Sequence, residues 1–202
     1  WLKYQVNAPS TGTDYVAQLN YTPSKKFDAY VKIRKRSKFK NTTSTIDDID
    51  FIVPYEQTNY RVNTSFTILP SVKLKNRVEL VDYKIDQNKT SKGFMLYQDI
   101  TYNKLGKPFS FSLRYALFQT DSYDSRIYAY ENDVLYGYSV PALQNSGLRF
   151  YFNGRYTLKR GMDLWRKYSI TKYTNIDEIG SGLDMIPGSV KQDVNIQLRF
   201  QV

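Results

Sequence analysis

The sequence predicts an all-β fold, an antiparallel transmembrane β-barrel of about ten strands. Three observations predict it. Apolar and polar residues alternate along segments close to the roughly 9–11 residues a tilted strand needs to cross a bilayer. Short and long connections between those segments also alternate. The chain is rich in aromatics, with 19 Tyr and 11 Phe in 202 residues, and these residue types favour pleated surfaces.

The segments run in order. "WLKYQVN" at 1–7 opens in strand-like alternation. The strand at 13–22 places Tyr15, Ala17, Leu19 and Tyr21 on one face, and that at 27–38 does the same with Phe27, Ala29, Val31 and Ile33. The strand at 58–69 carries Tyr60, Val62, Thr64, Phe66 and Ile68. Strands at 72–83 and 93–103 follow, each with one polar residue on the apolar row, Asn76 and Gln98. The strand at 109–119 has the strongest row, Phe109, Phe111, Leu113, Tyr115 and Leu117. Strands at 148–158 and 162–173 come next, with Arg166 on the apolar row close enough to a turn to snorkel. The last, at 191–202, alternates Val194, Ile196, Leu198, Phe200 and Val202 with Asn195, Gln197, Arg199 and Gln201.

One such strand fits a water-soluble sandwich, with its apolar face on a core, as well as a barrel, with that face on lipid. The connections favour the barrel. "TPSKK" (22–26), "LPS" (69–71), "NKLGKP" (103–108) and "LKRG" (158–161) are tight turns of Pro, Gly and polar residues. Longer connections at 8–12, 39–57, 84–92, 120–147 and 174–190 lie between them. Tight periplasmic turns and larger outer loops are the asymmetry of an outer-membrane barrel. A mean hydropathy of −0.55 leaves no apolar run long enough for a transmembrane helix. It does not argue against a barrel, whose strands give lipid only every second residue.

Cys and His are both absent. That removes disulfides, thiolate nucleophiles, Ser-His pairs and the commonest transition-metal ligand, so neither an enzyme nor a cofactor is expected. The net charge of +10 points to anionic partners or to a solubility charge. The strand phase gathers Lys32, Arg34, Arg36, Arg61, Lys73, Lys75, Arg77, Arg114, Arg149, Arg155, Lys167 and Arg199 on the polar face, against Asp14, Asp28, Glu79 and Asp99. Arg34, Lys75, Arg114, Arg155 and Arg199, from different strands, are the expected binding residues of a basic lumen. The alternative is that these charges brace the wall through ion pairs with a plug or another domain.

Three loops invite other readings. Residues 121–147 are long and aromatic, with Tyr123, Tyr128, Tyr130, Tyr136 and Tyr138. They are read as a folded cap of packed tyrosines rather than an extra hairpin extending the wall or a surface for sugars or bases. Asp47, Asp48 and Asp50 lack the spacing of a calcium loop. "IGSGLDMIPG" (179–188) lacks the Gly-Lys-Ser/Thr of a phosphate loop.

"LRYALFQTDSYDSRIYAYENDVLYGYSVPA", "GLRFYFNGRYTLKRGMDLWRKYS" and "IGSGLDMIPGSVKQDVNIQLRFQV" resemble the C-terminal region of Bacteroidota envelope proteins described as helix-hairpin-helix domain proteins. "YENDVLY" is the most specific piece, and the resemblance covers residues 113–202. It implies a β-rich, barrel-like region following a small helical region related to competence DNA-binding proteins. No helix-hairpin-helix sequence occurs in this chain, so nucleic acid binding stays open. The family supplies no catalytic residues.

Residues 1–202 are therefore expected to form one outer-membrane barrel region, a C-terminal part of a longer chain and of a larger barrel. The expected partners are outer-membrane lipid and lipopolysaccharide, the barrel assembly machinery, and other outer-membrane subunits. The terminal alternating strand is of the kind that assembly machinery recognises. Two functions compete: a conduit for an anionic solute or polymer, and a non-conducting structural subunit of a membrane complex.

Overall fold

A computed structural model describes residues 6–43, 50–85 and 89–201. Six long strands come first: β1 (Thr13–Ser24), β2 (Phe27–Thr43), β3 (Asp50–Leu69), β4 (Val72–Ile85), β5 (Lys89–Asn103) and β6 (Phe109–Thr120). A 3-10 turn at Tyr123–Ser125 and two short strands, β7 (Ile127–Tyr128) and β8 (Ala142–Leu143), follow. Then come β9 (Ser146–Lys159), β10 (Met162–Tyr173), the small pair β11 (Glu178–Ile179) and β12 (Ile186–Pro187), and β13 (Val190–Phe200). No α-helix occurs among the described residues.

Nine strands form one antiparallel sheet in the order β1-β2-β3-β4-β5-β6-β9-β10-β13. Each long strand pairs with the next along the chain. The tight turns β1–β2, β3–β4, β5–β6 and β9–β10 therefore share one end of the sheet, and the remaining connections share the other. Gly161 makes the last tight turn possible: it sits at φ +80°, where L side chains are strained.

The structure corrects several expectations. The strand expected at 1–7 lies largely outside the described residues, and Val6 and Asn7 are not in a strand. The connections expected at 39–57 and 84–92 are mostly ladder. β2 and β3 stay paired out to Thr43 and Asp50, and β4 and β5 out to Ile85 and Lys89. "KFKNTT" and Pro54 read as loop because they are polar or break strands. Ladder pairing uses backbone groups and needs no apolar face, and Pro54 is accommodated opposite Phe39. Asp47 and Asp48 lie outside the described residues. Nine strands make the sheet among the described residues, and most of the tenth expected one, at 1–7, lies outside them. Among the described residues its end strands β1 and β13 do not pair with each other.

The register separates two chemically opposite faces. One row runs Leu19, Val31, Val62, Val78, Leu96, Leu117, Leu148 across seven strands. A row of the other face runs Lys75, Asp99, Arg114, Tyr151, Ser169, Asp193. Burial is inverted relative to a water-soluble domain. Leu19 is 74% exposed and Ile196 67%, while Arg114 is 4% exposed and Lys167 3%. Water-soluble monomers seldom expose contiguous apolar patches beyond roughly 300–600 Å².

Near the tight-turn end the apolar face carries touching rings, Phe27 with Phe66 at 4.8 Å and Phe111 with Tyr102 at 5.5 Å and with Phe152 at 5.9 Å. Aromatic bands of this kind mark membrane interfaces. Asn76 and Gln98, the polar exceptions, are register neighbours. The Gln98 amide donates to Asn76 Oδ1 at 2.9 Å, and Asn76 donates to Thr64 Oγ1 at 3.3 Å. The group thus satisfies part of its own hydrogen bonding on the apolar face. Arg166 lies exposed on that same face.

Candidate anion-binding lumen

Residues 121–145 fold back against the polar face of the sheet and are built for that position. Gly93 on β5 lets the chain approach: a Cβ there would stand 2.3 Å from the Ser125 carbonyl oxygen. Ser125 is fully buried and donates to the Lys92 carbonyl at 2.9 Å. Ile127, Ala129 and Leu143 then pack on Val81, Met95, Tyr97, Ala116 and Phe118, an apolar patch within the charged wall. Gly93→Ala is expected to displace the 123–125 turn and loosen the loop, which faster proteolytic cleavage within 121–145 would report.

Beyond this patch the loop is pinned by charge. Glu131 accepts from Arg149 at 2.6 and 2.9 Å and lies 3.4 Å from Lys167. Asp133 pairs with Lys167 at 3.1 Å and accepts from Asn195 at 3.3 Å. The Tyr128 and Tyr130 carbonyls accept from Arg77 and Arg114 at 3.3 and 2.7 Å. A buried ion pair adds little net stability, yet removing one partner costs about 3–5 kcal/mol. The loop is therefore held in one place.

The five expected binding residues all lie on this face, but they do not form one cluster. Arg34 is a bidentate partner of Asp14 at 2.8 and 2.5 Å. Arg114 clasps Asp99 at 2.5 and 2.7 Å, with its guanidinium 3.7 Å from the Tyr97 ring centre. Arg155 and Arg199 share the Asp163 carboxylate at 2.9 and 2.5 Å. Four of the five are thus wall braces. Lys75 alone has no acid partner among the described residues, and it lines a cavity of about 420 Å³ with Arg61, Lys73 and Tyr130.

Sequence reasoning missed the acids that neutralise the far wall. Asp163 is in phase with Trp165 and Lys167, so the alternation alone could have placed it inward. Glu131 and Asp133 come from a loop, where no strand phase exists. The only signal was their position in "YENDVLY". The loop tyrosines are not a packed cap. Only Tyr130 and Tyr138 touch, at 6.0 Å, and Tyr136 is 91% exposed.

The loop spends Glu131 and Asp133 on β9, β10 and β13 and gives β2 Asp124 alone, which pairs with Lys40 at 2.9 Å, so most of the opposite wall keeps free charge. A cavity of about 390 Å³ lies between the loop and β2–β4. Lys32, Arg36 and Arg126 line it without a carboxylate partner among the described residues, beside the paired Arg34 and Arg61. Arg36 donates to Gln57 at 2.7 Å, and its Nε is buried without a partner. Arg61, shared by both cavities, links this one to the cavity at Lys75. Cations clustered against low-dielectric walls focus a positive potential that concentrates anions.

The fold and this face define an antiparallel β-sheet protein with one apolar face and one charged face against which the 121–145 loop folds. No family model and no curated relative matches the chain. It is similar in structure to a loop L8 deletion mutant of OmpT, an outer membrane protein of Vibrio cholerae, at 8% identity and a TM-score of 0.43. That alignment covers 92% of this chain, which spans 62% of the other's length.

Proposed function

We propose that this chain is an outer-membrane β-barrel channel whose inward-folded loop narrows the lumen to a basic passage for anions. The observation that carries the membrane assignment is the inverted burial: a continuous apolar row on the outside, and buried Arg, Lys and Glu on the inside. Lipid is the solvent that stabilises such a surface. The conduit reading is supported by the two basic cavities that share Arg61 beside the pinned loop. The partners belong to the same proposal: outer-membrane lipid and lipopolysaccharide on the apolar face, and assembly machinery for β13. So does the kinship of residues 113–202 with the Bacteroidota helix-hairpin-helix proteins.

The test is the reversal potential of a reconstituted bilayer in a salt gradient. Anion preference is expected, with inversion or loss when Lys32, Lys73 and Lys75 are all changed to Glu. These three are chosen because they brace no acid. Reversing Arg114, Arg155 or Arg199 instead places a carboxylate against Asp99 or Asp163 and is expected to destabilise the wall. Protein that inserts and never conducts contradicts the conduit.

That result would favour a structural subunit, a reading with its own support. The free edges of β1 and β13 among the described residues carry unpaired backbone donors and acceptors, which a bilayer does not tolerate. Additional strands, from this chain or from a neighbouring subunit, would complete the wall.

A further inference from the structure

The free cations beside the loop are part of a longer pattern. On β2 every second residue from Lys32 to Lys40 is basic: Lys32, Arg34, Arg36, Lys38 and Lys40. The residues stand in the ladder opposite Arg61, Asn59, Gln57, Tyr55 and Val53 of β3, so all five share the inward face. At about 3.4 Å per residue the charges recur about every 6.8 Å, over about 27 Å. Lys40 is held by Asp124 at 2.9 Å and Arg34 by Asp14. Lys32, Arg36 and Lys38 make no hydrogen bond to an acid among the described residues. A small inorganic anion needs one such site, whereas a ladder matches an extended chain with repeated charge.

The neighbouring groups narrow the class. Single-stranded nucleic acid is gripped by charge together with free aromatic platforms. The rings here are already engaged. Tyr55 stacks on Tyr83 at 5.3 Å, and Arg126 lies over Tyr123 at 3.8 Å and 5.5 Å from the Tyr128 ring centre. What β3 offers beside the ladder is neutral amides, Gln57, whose Oε1 accepts from Arg36 at 2.7 Å, and Asn59, whose Nδ2 donates to Glu79 at 3.2 Å while its Oδ1 is buried without a partner. Amides that donate to and accept from hydroxyls, alternating with cations that meet carboxylates, are the complement of a sugar acid.

We propose that the β2–β3 track binds a linear acidic oligosaccharide, a chain of uronic acid residues lying along β2. This rests on the channel reading for its setting, but the binding itself can be measured apart from conductance. The experiment is titration calorimetry on the whole detergent-solubilised protein, with galacturonic acid monomer and tetramer, a neutral galactose tetramer and a thymidine tetranucleotide. Several weak contacts on one chain multiply, so the acidic tetramer is expected to bind at least tenfold more tightly than the monomer. The neutral tetramer is expected not to bind. Lys32→Gln/Arg36→Gln/Lys38→Gln should weaken the acidic tetramer at least tenfold.

Equal binding of monomer and tetramer, or of the neutral tetramer, overturns the proposal using the wild-type protein alone. A tetranucleotide that binds more tightly than the acidic sugar assigns the track to nucleic acid and overturns it too. Anion-selective conductance without tetramer binding overturns this inference and leaves the channel standing. Tetramer binding without conductance supports the track and contradicts the channel.

Discussion

Glu131→Gln is expected to free the inward loop while leaving the sheet folded. The carboxylate is 1% exposed and sits between Arg149 and Lys167, whose side chains are 9% and 4% exposed. Without it, the buried Arg149 faces a neutral amide and Lys167 keeps only Asp133, and a broken buried pair costs about 3–5 kcal/mol. That is of the order of a whole loop's local stability, so the loop is expected to open rather than the barrel to melt. Proteolysis within 121–145 should accelerate about a hundredfold or more, and on the proposed channel reading conductance should rise as the passage widens. Asp184→Asn, an exposed acid in the 174–189 connection, is expected to change neither. Unchanged protection in the Glu131 variant would show that the apolar patch under Ile127 and Leu143 holds the loop by itself.

Leu198→Asp and Phe200→Asp are expected to block membrane insertion, whereas Gln197→Asp inserts. All three residues lie on β13 within four positions. Leu198 and Phe200 lie on the apolar face, 45% and 65% exposed, and Gln197 is paired with Trp165 on the polar face. Charge on a lipid face is unfavourable by up to about 2–4 kcal/mol near the bilayer middle, with Asp below Arg and Lys, while interior positions tolerate it. The two outward changes together should abolish assembly into liposomes, measured as the fraction protected from external protease. Equal behaviour of the three variants would mean that β13 does not face lipid.

The strands were legible because a strand with one apolar and one polar face has a two-residue period that any reader can count. Leu19 to Leu148 and Lys75 to Asp193 fall on the two faces that phase assigns. Strand ends were less legible: at Lys38–Thr43 the ladder continues with no apolar row to mark it. The site was half legible. Phase places Arg34, Lys75, Arg114, Arg155 and Arg199 inward, but it cannot say which of them an acid will claim. For Arg155 and Arg199 the claimant, Asp163, was readable from the same phase. For Arg149 and Lys167 it was Glu131 in a loop, brought across the sheet by contacts that local sequence does not encode. The β2 ladder, in contrast, is written in the sequence as K-I-R-K-R-S-K-F-K. What the sequence does not show is that the loop neutralises only Lys40 of that ladder, through Asp124.

The apolar face is proposed to meet lipid and the charged face to meet water. The chain has no cysteine, so single cysteines report without background. Nitroxide labels at Leu19, Leu96 and Leu117 would be compared with labels at Lys32, Lys75 and Asn195 in protein reconstituted into bilayers. The first three should be relaxed strongly by oxygen dissolved in the membrane and weakly by a water-soluble nickel chelate, and the second three the reverse. Labels at Leu19, Leu96 and Leu117 that respond to the nickel chelate as strongly as those at Lys32, Lys75 and Asn195 would contradict the account.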